Sequence, residues 1–340
     1  MKAHTSFTAS TLVVLLALGC SPDNGVVDPY PAVVDAELSP ALGPYSEWSD
    51  PVNLGSDVNS EFADQGPYVS RDELTLYFAS QRPAPEGFGA NDLYVATRRH
   101  NRDAWGPAVN LGSVINTSGT ESTPALSRDE TLLYFASNGH PGSSGLDIWV
   151  SARRDKQDPL GWSVPVKLVG GVNSASNDLG PAPFYDRRTG TLTLYFYSIR
   201  AGGVGCRDIY SSTQGPGGEF APAVLVTELN TAGEDEQPAI RRDGLEIFFG
   251  SNRPVGAPCQ GAGNPGGELY VSTRASTSDP WQSPVSLGSP INTSGAEGRP
   301  ALSYDGRSLY FFSDGHGGEG GTDLFVSTRT RLDDQGEDEQ

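Results

Sequence analysis

Hydrophobic positions in this chain come in short bursts, and no window carries the 3.6-residue apolar period of a long amphipathic helix. What recurs is a run of apolar and aromatic residues closed by serine or by glycine and serine. It reads Leu76-Tyr77-Phe78-Ala79-Ser80, Leu133-Tyr134-Phe135-Ala136-Ser137 and Leu194-Tyr195-Phe196-Tyr197-Ser198. Ile247-Phe248-Phe249-Gly250-Ser251 and Leu309-Tyr310-Phe311-Phe312-Ser313 complete the set. Continuous apolar runs between turn signals predict strands buried on both faces.

Each run holds the same place in a larger unit. The units open with Trp48, Trp105, Trp162, Phe220 and Trp281, spaced 57, 57, 58 and 61 residues apart. A short apolar stretch follows, then Asn59, Asn116, Asn173, Asn230 or Asn292. Five residues after each Asn comes an acid: Asp64, Glu121, Asp178, Asp235 and Glu297. Eight after it comes a proline: Pro67, Pro124, Pro181, Pro238 and Pro300. A turn aspartate precedes the apolar run, and a Gly-rich loop follows it. The last strand opens on Asp92, Asp147, Asp208, Glu268 or Asp323. Five units of four strands predict an all-β fold, a five-bladed β-propeller of four-stranded antiparallel blades over residues 46–331. The phase adds a closure. The chain enters on the Trp48 strand and leaves after the Asp323 strand. A strand at about 46–55 that completes the last blade would close the ring without an orphan edge.

The repeat Pro-Ala-Leu-Ser-x-Asp, then Leu-Tyr-Phe-x-Ser, a Gly loop and Asp-Leu-Tyr-Val is seen best in 123–150 and 299–326. It resembles the WD40-like repeat of TolB-type propellers. The resemblance implies a structural turn at each Asp and an envelope platform that binds other proteins. Copies three and four depart from it at Phe184-Tyr185-Asp186 and Ile240-Arg241-Arg242-Asp243.

The N-terminus changes the picture of where the protein works. Met1-Lys2, the apolar Leu12–Leu18 stretch and Gly19 predict a signal peptide over 1–19, too short to span a bilayer stably. Cys20 follows at once. This resembles a bacterial lipoprotein signal, with Ala17 where that pattern prefers Leu, and implies lipidation at Cys20. Ser21 then favours the outer membrane, with the propeller facing the periplasm or the cell surface. Residues 20–45, rich in proline and acids, read as a flexible tether, and 332–340 as a disordered acidic tail. The net charge of −19 argues against nucleic acid and fits a basic envelope protein as partner. A monomer is expected.

Two readings stay open for the repeated acids. Asp64, Glu121, Asp178, Asp235 and Glu297 could form a Ca²⁺-binding rim with neighbouring Asn carbonyls. Alternatively, each caps its own loop, and no cofactor is needed. With Asp92, Asp147, Asp208, Glu268, Asp323, His140 and His316 they define a candidate partner-binding face. Cys206 and Cys259 fall in the Gly loops of adjacent units and are expected to pair as a disulfide. No His-Glu-x-x-His, Cys-x-x-Cys or Gly-x-Ser-x-Gly motif occurs. The first strands, read from Pro67-Tyr68-Val69 and its four counterparts, carry no acid. The expectation is therefore a non-enzymatic binding or scaffold propeller. The alternative is a glycan-binding or glycan-cleaving five-bladed propeller, which needs unmatched carboxylates near the axis.

Overall fold

The computed structural model describes residues 45–253 and 267–332. The signal peptide, Cys20, the tether, Cys259 and the acidic tail lie outside them. Strand β1 (Val52–Asn53) comes first and belongs to the last blade. The first blade is β2 (Asp64–Val69), β3 (Thr75–Ser80), β4 (Asp92–Thr97) and β5 (Val109–Asn110). The second is β6 (Glu121–Leu126), β7 (Leu132–Ser137), β8 (Asp147–Ala152) and β9 (Val166–Lys167). The third is β10 (Asp178–Asp186), β11 (Thr191–Ser198), β12 (Asp208–Thr213) and β13 (Val224–Leu225). The fourth is β14 (Asp235–Ile240), β15 (Glu246–Ser251), β16 (Glu268–Thr273) and β17 (Val285–Ser286). The fifth is β18 (Glu297–Leu302), β19 (Ser308–Ser313) and β20 (Asp323–Thr328), joined by β1 in the order β1-β20-β19-β18. All pairings within the blades are antiparallel, so the protein is a five-bladed β-propeller.

The ring closes on its own N-terminal strand. Val52 faces Val326 and Asn53 faces Phe325. Backbone bonds from Ser46 to Thr330, Ser49 to Thr328 and Leu54 to Leu324 extend the seam, and Tyr45 bridges Arg331.

The core lies between blades. Leu76 and Phe78 of the first blade meet Tyr310 and Leu324 of the fifth, and all four are buried. The opening aromatic of each unit also has a repeated partner. Arg98, Arg153, Arg274 and Arg329 stack on Trp105, Trp162, Trp281 and Trp48, with the guanidinium carbon 4.2–4.5 Å from the ring. In the third blade, where Phe220 replaces Trp, Gln214 replaces Arg. An indole face attracts a cation more strongly than a phenyl face does, so the two positions change together.

Each first strand has a bulge after its second residue, where the register shifts, as between Gln65 and Tyr68. The bulge residues are Gly66, Thr123, Gly180, Gln237 and Arg299, all at φ between 50° and 63°. A positive φ is strained for Thr, Gln and Arg, most of all for β-branched Thr123. The repeated proline follows each bulge. The inner edge of a first strand has no pairing strand, and proline removes the N–H that would otherwise be left unpaired there.

Candidate functional site

The acids five residues after each Asn are the first residues of the first strands, and all five are fully buried. Each is tied into its own loop in one of two ways. Asp64, Asp178 and Asp235 face Arg82, Arg200 and Arg253. Those arginines also donate to the carbonyls of Val58, Val172 and Leu229. Glu121 and Glu297 have no arginine. Their longer side chains take the Ser137 and Ser313 hydroxyls at 2.6 and 2.8 Å. His140 and His316 then bond the matching carbonyls of Ile115 and Ile291, both at 2.9 Å. Asp goes with Arg and Glu goes with His, one lock per blade. Burial pushes the Glu121 carboxyl above its usual range, against the pull of its hydroxyl and backbone donors.

A prediction follows for the charged version. Asp235→Ala leaves Arg253 largely buried and unpaired, and should cost about 3 kcal/mol or more in denaturant unfolding. Glu121→Ala strands only neutral donors, about 1–3 kcal/mol. Equal losses would contradict the charge argument.

Strand-opening acids behave similarly. Asp92, Asp147, Asp208 and Asp323 are buried and accept backbone N–H bonds from Phe88, Ser144, Gly205 and Glu319. Glu268 accepts from the Ser286 hydroxyl at 2.9 Å. Among the described residues no cluster of His, Cys, Asp and Glu could hold a metal ion. The structure therefore distributes the repeated acids over separate loops. Cys206 is disulfide-bonded, and Cys259, its expected partner, lies outside the described residues.

Several features without fivefold counterparts meet between the third and fourth blades, beside the axis. Glu234 stands before β14 where the other blades have Ala63, Thr120, Asn177 and Ala296. Glu236 lies in β14 where they have Gln65, Ser122, Leu179 and Gly298. Two residues apart in an extended chain, the two carboxylates project to the same side. Arg207 of the third blade meets both: its Nη1 is 2.5 Å from Glu236 and 3.7 Å from Glu234. Burial raises the Glu234 carboxyl above its ordinary range; Arg207 opposes this and the charge of Glu236 adds to it. Tyr197, pushed up to about 12 by burial, lies against Gly180, whose missing side chain leaves room for the ring. Below them the five prolines wall an axial cavity of about 100 Å³. At its bulge end sit Arg299, with Nε and Nη1 buried without a partner, and Gln237, with Oε1 likewise unpartnered.

Sequence reasoning missed this cluster because it began the first strands at the prolines. They begin three residues earlier, and Glu236 and Arg299 lie in the omitted part.

No family model and no curated protein matches the chain. Solved structures do. An α-L-arabinofuranosidase from Lactobacillus brevis superposes with a TM-score of 0.56 at 14% identity, covering 80% of this chain and 92% of that one. A family 43 endo-arabinanase from Bacillus licheniformis gives 0.54 at 14%, covering 79% and 95%. A family 117 glycoside hydrolase from Zobellia galactanivorans gives 0.51 at 13%, covering 85% and 91%. At such identities the likeness is one of fold. These counterparts are glycoside hydrolases rather than TolB-type propellers. Together with Glu234 and Glu236, they overturn the expectation of a non-enzymatic protein-binding scaffold and favour its glycan-cleaving alternative.

Proposed function

We propose that the protein is a glycan-cleaving propeller in which Glu234 and Glu236 are the acid–base pair. The observation that carries this is one guanidinium shared by two buried carboxylates that the fivefold symmetry does not require. Glycosidic cleavage needs two carboxyl groups with different roles: one protonated to assist the leaving oxygen, one ionised to act as base or nucleophile. Burial favours the protonated form of Glu234, while Arg207 supplies a counter-charge at hydrogen-bonding distance from Glu236. The fold's likeness to arabinan- and arabinoside-cleaving enzymes supports the substrate class. The anchor expected at Cys20 would place this activity at the outer membrane. The test is release of new reducing ends from a panel of arabinan, xylan, galactan and acidic polysaccharides by the purified protein. Turnover that disappears in Glu234→Gln supports the reading. Turnover unchanged by Glu234→Gln and by Glu236→Gln, or none on any polymer, defeats it.

A further inference from the structure

The opposite end of the axis carries its own unrepeated chemistry. The turns between first and second strands meet there, just past Tyr68, Ile240 and Leu302, which line the axial cavity. The residue before each turn aspartate is Arg71, Arg128, Tyr185, Arg242 or Tyr304. Their side chains link blade to blade. The Arg71 guanidinium lies 4.0 Å and that of Arg242 4.7 Å from the Tyr304 ring centre, and Arg128 lies 5.8 Å from Tyr185. Three cations therefore converge on a chain whose net charge is −19.

The carboxylates nearby are engaged elsewhere. Asp72, Asp129 and Asp305 accept the hydroxyls of Ser70, Ser127 and Ser303 within their own turns, each at 2.6 Å. Asp243 is taken by Arg241, and Asp186 by Thr277. Glu130 accepts the backbone N–H of Arg71, not its side chain. Neither Arg71 nor Arg128 is ion-paired among the described residues. Burial would raise the Tyr304 phenol, yet the Arg242 hydrogen bond and the charges of Arg71, Arg242 and Arg128 hold it below its usual value.

We propose that this end of the axis binds an anionic sugar, its carboxylate or sulfate held by Arg71 and Arg128. Guanidinium forks match the paired oxygens of both groups. That the ligand is a sugar rests on the glycan reading above; that it is an anion does not.

Calorimetry on the purified protein tests this with trigalacturonate, its methyl ester and a sulfated galacto-oligosaccharide. Either anionic oligomer should bind at least tenfold more tightly than the ester, and the tighter of the two identifies the group. Raising NaCl from 50 to 500 mM should weaken binding at least tenfold. Arg71→Ala/Arg128→Ala, both at partly or fully exposed positions, should lose at least tenfold without a change in melting temperature. Glu234→Gln should bind as the wild type does, so failure of the catalytic reading leaves this result standing. Equal affinity for the ester, affinity indifferent to salt, or a folded double variant that binds normally would overturn the proposal.

Discussion

Glu234→Gln is expected to reduce turnover of a susceptible glycan by about 10²–10⁴-fold, the usual worth of a positioned general acid. The substitution keeps the shape of the side chain and its place beside Arg207, so melting temperature should change little. Glu236→Gln should be at least as damaging, for two reasons. It removes the charge that Arg207 pairs with at 2.5 Å, and with it the like charge that helps keep Glu234 protonated. The sign can be read in a pH profile. A general acid fails as pH rises through its raised pKa. Lowering that pKa by neutralising Glu236 should move the alkaline limb of residual kcat/KM to lower pH. A merely structural glutamate would reduce activity without moving the limb.

Deleting residues 45–54 should have the largest effect on stability. The deletion strips β1 from β20 and exposes the edge of a six-residue strand. It also removes Tyr45 and Trp48, which sandwich Arg329 at 3.8 and 4.5 Å, and takes Trp48 off Phe248. Arg329 would be left holding Glu246, which it shares with Arg241, with only the Phe248 ring, 5.7 Å away, as aromatic cover. Loss of a packed tryptophan alone is worth about 3–5 kcal/mol. At about 2–4 °C per kcal/mol, the melting temperature should fall by roughly 10 °C or more. The bared edge should bring concentration-dependent aggregation. An unchanged melting curve would mean that the ring does not depend on its closing strand.

Fold and candidate site differed in how far the chain disclosed them. The propeller was legible because its signals come five times in phase, so that a departure such as Phe220 could not hide the pattern. Closure was legible from the phase of Trp48 and Asp323 alone. The acid–base pair was not. A bulge at positive φ interrupts the alternation of each first strand, so Asp235, Glu236 and Gln237 look like loop residues leading into Pro238. The partner of Glu236, Arg207, sits 29 residues away in a neighbouring blade, and no local spacing connects them. His140 and His316 have a local role that the sequence did not disclose. Rare and matched, they suggested a partner-binding face; in the structure each also does for a Glu-bearing loop what an arginine does for an Asp-bearing one.

Because Tyr45 bridges Arg331, the two ends of the folded ring lie side by side. A short linker between them, with the chain reopened at the exposed Ser113-Val114 step, would give a circular permutant in which each of the five blades is one uninterrupted stretch of polypeptide. The native gene instead splits its last blade across both ends. In the native chain β1 must therefore wait unpaired until the final strands emerge, whereas in the permutant every strand lies next in sequence to a partner in its own blade.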